Sequence, residues 1–449
     1  MPTHADPVST VIFWVTLVFV FGVIGRYIAH RFDQPGVLGE LLMGVLVGNL
    51  CYFAGMPIAV ILREGSSVFS IFKDLLAGLP LVDAVRSALP DASYSTGLVK
   101  ALEGPDGFDL IKVAYVLDIF SRYGVIFLLF MVGLESSVEE IKTTGRASLQ
   151  VALIGMAAPI ALGLLVTIFL LPEAPFNTDL FVAATLAATS VGITARVLKE
   201  MNKLKTTEAK TILGAAMIDD VLGLVMLAIV SGMVIHGFVD FGMIFHIILY
   251  VVLFFAGVLT LGPWALRKAV LFFKFLDPWE SKLVVSFICV MTLSWLATCV
   301  QLASIIGAFA AGLILHDGFF KEASDKRQIR EIVGPLEALM APLFFMLIGI
   351  QVKLETFYNW HVLLIASGLI VSAVVGKLVS GLGARAKDDR LLIGVGMLPR
   401  GEVGLVFASI GRTLGVISDE LFSSIILMVI VTTFMAPPWL KARFKRHTA

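Results

Sequence analysis

The sequence predicts an all-α polytopic membrane protein with about thirteen transmembrane helices. Its 449 residues are 58% hydrophobic and only 15% charged, whereas soluble proteins carry roughly 25% charged residues. The apolar residues form blocks of about twenty, the length that a helix needs to cross a hydrocarbon layer of roughly 30 Å. The polar stretches between the blocks alternate in basic content, as loops on opposite sides of a membrane do.

The blocks define the predicted spans, which lie at about 9–29, 36–56, 113–134, 147–171, 178–198, 208–236, 242–263, 281–300, 302–316, 336–352, 361–384, 391–411 and 418–437. Basic residues fill alternate loops, namely Arg26/Arg31, Lys142/Arg146, Lys199/Lys203/Lys205, Arg267/Lys268/Lys274, Lys321/Lys326/Arg327/Arg330, Arg385/Lys387/Arg390 and Lys441/Arg443/Lys445/Arg446. Because Lys and Arg are retained on the cytoplasmic side, we expect the N-terminus outside and the C-terminus in the cytoplasm.

The charge balance and the absence of several motifs exclude other classes of partner. Thirty-four basic and thirty-four acidic residues give a formal net charge of zero, which argues against nucleic acid as a partner. We expect no cofactor and no structural metal, because G-x-G-x-x-G does not occur and no histidine has a second ligand at helical spacing. Residues 63–112 contain amphipathic pieces broken by Pro80 and Pro90, and we expect them to form an external connection that lies on the membrane surface.

The two halves of the chain contain an internal repeat. Residues 130–135 recur as 345–350, and residues 39–46 resemble 307–314. These echoes pair the third predicted span with the tenth and the second with the ninth. An offset of seven helices is odd, so the second copy runs upside down in the membrane. Inverted repeats are typical of transporters, whose binding site lies near the midplane where the repeats meet.

The same offset pairs the span at 178–198 with the span at 391–411, and both contain helix-breaking residues. Thr189 and Ser190 interrupt the first span, and Pro399 between nearby glycines interrupts the second. Unwound backbone at membrane depth is tolerated only where it lines a cavity or binds a ligand. The pattern therefore predicts two broken helices that meet at a site.

Five of the charged residues inside the apolar spans are candidates for a functional site. Asp219 and Asp220 lie midway along the sixth span, where insertion of one Asp costs about 2.5–3.5 kcal/mol, and they indicate a cation or proton site. Lys377 is either the ion-pair partner of Asp219 or a lysine that reaches the interface. Arg400 and Glu402 either stabilise the broken helix, through pairing across the bundle and capping of freed amides, or bind the ion directly.

Asp118 and Arg122 are four residues apart at the outer start of the third span. This spacing predicts a local salt bridge rather than a functional site.

Several of these motifs together resemble the monovalent cation:proton antiporter-2 family, which includes Nap-, Ger- and Kef-type exchangers. The matching stretches are 130–135, Ala188-Thr189-Ser190, Asp219-Asp220, Gly376-Lys377 and Pro399-Arg400-Gly401-Glu402. The resemblance covers nearly the whole chain, and only residues 57–112 have no counterpart. It implies an Nha-like antiporter fold, in which two inverted repeats place the crossed broken helices at the centre.

The resemblance also implies a domain organisation. A scaffold of residues 1–134 and 281–352 would form a homodimer, and a core of 147–236 and 361–437 would carry the ion by an elevator movement. The helix at 242–263 would link the two parts. Many Kef-type members carry a cytoplasmic nucleotide-binding domain, and we expect none in this chain.

The resemblance further implies roles for the site residues. Asp220 would be the principal carboxylate for the proton and for Na⁺, which is the one metal ion expected to bind. Asp219 would pair with Lys377, and Thr189 and Ser190 would lie beside the ion, with Arg400 and Glu402 in supporting positions. Exchange in the Asp-Asp type is electrogenic, with two protons for one sodium.

The sequence therefore predicts a secondary active transporter, not an enzyme, that exchanges Na⁺ or Li⁺ for protons in pH homeostasis. The alternative is a K⁺/H⁺ antiporter of Kef type, since ion choice depends on cavity size and ligand number. An intramembrane aspartyl protease also uses two membrane Asp residues, but it needs a G-x-G-D motif that does not occur here. A passive cation channel is a third alternative.

Overall fold

Nineteen α-helices make up the fold, and no strand occurs in the residues that the structure describes. The computed structural model describes residues 7–32, 34, 36–65, 67–89, 92–134, 138–236, 241–300, 302, 304–320, 327–400 and 402–448. The first ten helices are α1 (Pro7–Arg31), α2 (Gly36–Phe53), α3 (Pro57–Arg63), α4 (Ser67–Leu76), α5 (Leu81–Ala88), α6 (Ala92–Glu103), α7 (Gly107–Leu134), α8 (Val138–Leu170), α9 (Phe176–Thr185) and α10 (Val191–Glu200).

The remaining nine are α11 (Thr207–His236), α12 (Phe241–Phe272), α13 (Pro278–Cys299), α14 (Ser304–Ile314), α15 (Ile329–Ile350), α16 (Trp360–Ser380), α17 (Arg390–Gly396), α18 (Glu402–Thr413) and α19 (Asp419–Thr448). In the described part of the chain, nine helices are long and apolar enough to cross a membrane. The prediction of an all-α multi-pass membrane protein is therefore confirmed. The count of thirteen spans stays a prediction, because the other predicted spans correspond to α11, to the short α14 and to pairs of half-helices.

Several helices continue through prolines at which the predicted spans begin or end. The span at 242–263 was expected to end at Pro263, but α12 continues through it to Phe272. Similarly, α15 includes Pro335 near its start, and α19 continues through Pro437 and Pro438. Transmembrane helices tolerate proline because neighbouring helices satisfy the freed backbone groups. A proline in such a chain is therefore a weak stop signal.

The helices pack into two bundles. In the α7 bundle, α7 packs against α14 and α15, α15 packs against α2, and α1 and α13 cover α2 and α14. In the α8 bundle, α8 packs against α9, α11 and α16, while α19 packs against α16, α17 and α18. Each bundle has its own apolar cluster, and a larger cluster joins them. The fold thus contains two packed units with a shared interface.

Two glycine contacts inside the α7 bundle have the same construction. A Cβ atom on Gly133 of α7 would lie 3.0 Å from the Cα atom of Gly312 of α14. A Cβ atom on Gly349 of α15 would likewise lie 2.8 Å from the Cα atom of Gly44 of α2. Small residues allow membrane helices to approach this closely. These four glycines belong to the repeated motifs, so the two helix–helix contacts are equivalent under the predicted inverted repeat.

Residues 57–103 fold as four short helices, α3 to α6, that pack on the α7 bundle. They bury apolar side chains against α1, α7 and α15, among them Ile61, Ile71 and Leu98. Pro80 is the N-cap residue of α5, as the break predicted from the sequence requires.

The salt bridge predicted from the spacing of Asp118 and Arg122 is present within α7, with Arg122 Nε 2.6 Å from Asp118 Oδ2.

We predict that Gly133→Ala destabilises the protein. The added methyl group would meet the backbone of α14, and overpacking of this kind costs about 1–3 kcal/mol. The free energy of unfolding, measured by denaturant titration in mixed micelles, should fall by that amount. Gly257→Ala in α12 is the matched control, because a Cβ atom there meets no atom within 4 Å. An equal effect of both substitutions would contradict the close-packing explanation.

Candidate functional site

Two helices are interrupted where the sequence predicts. The first interruption separates α9, which ends at Thr185, from α10, which begins at Val191. The second separates α17, which ends at Gly396, from α18, which begins at Glu402. Residues 183–197 and 392–400 are buried. Both breaks therefore lie in the protein interior, where freed backbone groups need partners.

The two unwound stretches supply partners for each other. The amide of Ser190 donates to the carbonyl of Pro399 at 2.7 Å. In the other direction, Arg400 Nη1 donates to the carbonyl of Ala188 at 2.6 Å. Thr194 adds a third bond, from its hydroxyl to the carbonyl of Gly396 at 2.8 Å. These bonds fix the two broken helices side by side, and we call this region the crossing.

The acidic doublet lies in α11, beside the crossing. α11 packs against all four half-helices, α9, α10, α17 and α18. Asp219 and Asp220 are both buried, and Lys377 of α16 is fully buried with its Nζ atom 3.0 Å from Asp219 Oδ2. The predicted partnership of Asp219 and Lys377 is present in the geometry. Lys377 does not reach the interface, so the snorkelling alternative is wrong.

Two glycines lie beside Lys377. A Cβ atom on Gly155 of α8 would lie 3.6 Å from the Lys377 ammonium nitrogen. Next to the lysine, Gly376 lets α16 approach Pro159 of α8 so closely that a Cβ atom would lie 2.7 Å from the Pro159 Cα atom. Both glycines can be read from the sequence, but only the fold shows that they lie where α8 and α16 face each other.

Arg400 is held by backbone groups of the crossing and interacts electrostatically with Asp219. Its own carbonyl accepts a hydrogen bond from the Thr433 hydroxyl of α19. The guanidinium thus stabilises a freed carbonyl of the first broken helix, as the structural alternative for this residue expects. Glu402 begins α18, but its side chain lies outside the described part of the structure, as does Gly401.

The predicted hydroxyl residues lie in the first unwound stretch. The Thr189 hydroxyl faces the second stretch, 3.4 Å from the carbonyl of Met397. Ser190 contributes its backbone amide to the crossing, and its side chain is buried and makes no capping bond to α10. The structure therefore brings Thr189, Ser190 and Arg400 to one place, with the Asp219–Lys377 pair in the adjoining helices.

The chemistry of the region suits a hard cation. Carboxylates, hydroxyls and backbone carbonyls are oxygen ligands, and freed carbonyls at broken helices are the usual complement of a transporter ion site. Among these described side chains, two carboxylates (Asp219 and Asp220) are matched by two cations (Lys377 and Arg400). Oδ1 of Asp219 accepts no hydrogen bond from the described residues, which leaves that oxygen for a further ligand.

A second buried charge cluster was not predicted as a functional site. It lies at the end of α10, where Arg196 Nη1 and Lys199 Nζ are each 2.6 Å from an oxygen of Glu337 in α15. The sequence signal is the presence of Arg196 and Glu337 within apolar helices. Their partnership was missed because they are 141 residues apart.

Comparison with known proteins gives the family. The family model described as sodium/hydrogen exchanger, transmembrane, matches residues 96–446. The chain is 35% identical over 441 residues to the high-affinity Na⁺/H⁺ antiporter NhaS3 of Synechocystis sp., covering 96% of this chain and 89% of that protein. It is 34% identical over 359 residues to the Na⁺/H⁺-K⁺ antiporter GerN of Bacillus cereus, covering 77% of this chain and 88% of GerN.

Solved structures give the same fold. A structure of the sodium proton antiporter MjNhaP1 from Methanocaldococcus jannaschii at pH 8 aligns with a TM-score of 0.56 and covers 98% of both chains. A second MjNhaP1 structure, an electron-microscopy map, gives a TM-score of 0.63 over 97% of this chain and 96% of that one. Both are 16% identical to this chain and support the Nha-like fold. From its sequence match over more than three quarters of its length, the chain belongs to the sodium/hydrogen exchanger family.

Proposed function

We propose that this chain is a secondary active transporter that exchanges Na⁺ for protons at the crossing. The observation that carries the proposal is the acidic doublet, buried in α11 against both broken helices, with one member paired to Lys377. Burial of a second carboxylate beside the first is costly inside a membrane, and a visiting positive charge lowers that cost. A proton and a monovalent cation can each supply that charge.

The proposed Na⁺ ligands are oxygen atoms near the crossing. Asp220 supplies the principal carboxylate, and the Thr189 or Ser190 hydroxyl and freed carbonyls complete the set. Arg400 and Glu402 keep supporting positions in this proposal. Na⁺ is transported cargo and leaves on the other side of the membrane.

We propose that two protons are exchanged for one sodium, with Lys377 as the second proton carrier. In the proton-loaded site, Asp219 is charged, Asp220 is neutral, and Lys377 and Arg400 carry protons, so the sum is +1. In the sodium-loaded site, both carboxylates are charged, the ion adds one positive charge, Lys377 has released its proton and Arg400 stays charged, so the sum is zero. The difference is one charge per cycle. We therefore propose electrogenic exchange, with one proton on Asp220 and one on Lys377.

The two bundles supply a basis for movement. We propose that the α8 bundle, with residues 147–236 and 361–437 as the core, moves against the α7 bundle, with 1–134 and 281–352 as the scaffold, in an elevator-type cycle. Residues 242–263 of α12 link them. We further propose a homodimer formed through the scaffold, in a bacterial inner membrane with the N-terminus outside.

The choice of cation follows the named activities of the relatives. NhaS3 is named as an Na⁺/H⁺ antiporter and GerN as an Na⁺/H⁺-K⁺ antiporter, so sodium is our first expectation and the Kef-type K⁺/H⁺ alternative is not favoured. Proton flux in proteoliposomes, measured against imposed Na⁺, Li⁺ and K⁺ gradients, tests this order. Flux with K⁺ alone would replace the sodium assignment, and cation flux that is uncoupled from protons would indicate a channel.

Asp220→Asn should abolish exchange. The amide keeps the size of the side chain but neither releases a proton at neutral pH nor offers a charged ligand. Sodium-driven proton flux in proteoliposomes should fall to the level of empty liposomes. Asp118→Asn is the matched control, since it removes a surface salt bridge worth about 1 kcal/mol or less. Exchange that persists in Asp220→Asn would exclude the assigned role.

Lys377→Gln should remove the dependence of exchange on membrane potential. Without the second proton, any remaining exchange moves one proton for one sodium and carries no net charge. Sodium efflux, measured with the potential clamped at zero and at a negative interior value, should differ in the parent protein and be equal in the variant. Lys353→Gln, at the buried Lys353–Glu64 pair of the α7 bundle, is the control. An unchanged potential response in Lys377→Gln would contradict the two-proton scheme.

A further inference from the structure

The last two turns of α10 carry three charged side chains on one face. Arg196, Lys199 and Glu200 are spaced by three and four residues, so they lie together on the helix surface. Arg196 Nε is 2.8 Å from Glu200 Oε1, which joins two of them within the helix. α10 follows the first unwound stretch and packs against α11 and α19 of the α8 bundle and against α7 and α2 of the α7 bundle. We count it with the α8 bundle because it lies within the proposed core, residues 147–236.

Their partners belong to the α7 bundle. Glu337 of α15 lies between Arg196 and Lys199, at 2.6 Å from each. Glu200 Oε2 accepts the amide of Gly36 in α2 at 2.5 Å. Glu40 of α2 is fully buried, 4.0 Å from Arg196 Nη2, and is also bound by Arg26 of α1 at 2.5 Å. Two helices of the α7 bundle, α2 and α15, thus contact the charged face of α10, and Arg26 of α1 contacts it indirectly through Glu40.

The charges are balanced overall but not within each bundle. The α10 side carries Arg196, Lys199 and Glu200, with a sum of +1. The facing side carries Arg26, Glu40 and Glu337, with a sum of −1. Separation of the bundles at this end would leave opposite, poorly solvated charges without their partners, which is unfavourable.

We propose that Arg196, Lys199 and Glu200, together with Glu40 and Glu337, form an ionic latch that holds α10 against the α7 bundle in one state of the exchange cycle. This inference rests on the proposed function, because a latch has a role only if the bundles move relative to each other. The latch closes the interface at the α10 end, and its release exposes that interface to water.

The latch differs from the other buried ion pairs of the protein in what it joins. The Arg63–Glu355 pair, at 2.5 Å, lies within the α7 bundle and its connecting segments. The Arg443–Asp389 pair, at 2.7 Å, joins two elements of the α8 bundle. Among these three groups, the α10 cluster joins one bundle to the other. Loss of such a cluster favours separation of the bundles, whereas loss of an internal pair does not.

A cysteine in the bundle interface reports on this separation. Val125 of α7 is buried, and its Cγ2 atom lies 3.3 Å from a Cβ atom built on Gly192 of α10. The substitution Val125→Cys, with Cys51 and Cys299 replaced by serine, places a thiol that reacts with N-ethylmaleimide only when α10 moves away. Cys289, buried in α13, is kept as an internal reference for general unfolding.

Glu337→Gln in this background should raise the labelling rate of the introduced cysteine at least about tenfold, because truncation of one partner of a buried charge pair speeds its separation. Lys199→Gln, nearer the surface, should act in the same direction and provides a second test if Glu337→Gln does not fold. Glu355→Gln is the matched control and should leave the rate within about twofold, because the pair that it breaks does not join the two bundles. Labelling is read separately for each cysteine by mass spectrometry of its peptide.

Equal labelling rates in the parent, Glu337→Gln and Lys199→Gln proteins would overturn the latch. So would a parallel rise at Cys289, because that would indicate general unfolding. The proposed function is tested separately by cation-driven proton flux in the Val125→Cys parent. Absence of that flux with every cation would reject the exchanger, whatever the labelling shows, and unchanged labelling would reject the latch while exchange remains.

Discussion

The ion pair between Asp219 and Lys377 is the constraint around which the α8 bundle is organised. A charged side chain in an apolar interior is stable only with a partner of opposite charge and with satisfied hydrogen bonds. The pair connects α11 with α16, which both pack against α8, and Gly155 of α8 lies beside the ammonium group. The unwound stretches obey the same rule, since Arg400 and Ser190 satisfy backbone groups that a continuous helix would satisfy itself.

Local composition was sufficient to predict the position of each component of the site. The breaks at 185–191 and 396–402, the doublet in α11 and the lysine in α16 are visible as polar or helix-breaking residues within apolar blocks. The pairing of Asp219 with Lys377 was predictable because few buried partners of opposite charge were available. The contacts of Arg196 with Glu40 and Glu337 were not, since the partners lie 156 and 141 residues away along the chain.

The repeat shows a similar division between what sequence can and cannot predict. The echoed motifs correctly indicated related helices, yet the two copies of a motif do not pack against each other. Each copy instead packs against the second repeated motif, with Gly133 on Gly312 and Gly349 on Gly44. Similarity between two segments indicates a symmetry relation, whereas contact depends on how the symmetric copies interlock. The helix ends were least predictable, because proline does not end a helix whose neighbours satisfy the freed carbonyl groups.

The short helices α3 to α6 have a consequence for the energetics of an alternating cycle. They fill the connection between α2 and α7, whereas the equivalent connection between α14 and α15 spans only residues 315–328. Two identical inverted halves would give two conformations of equal free energy, related by exchange of the halves. An insertion in one half removes this degeneracy. A transporter built in this way has a preferred resting orientation even when the ion gradients are zero.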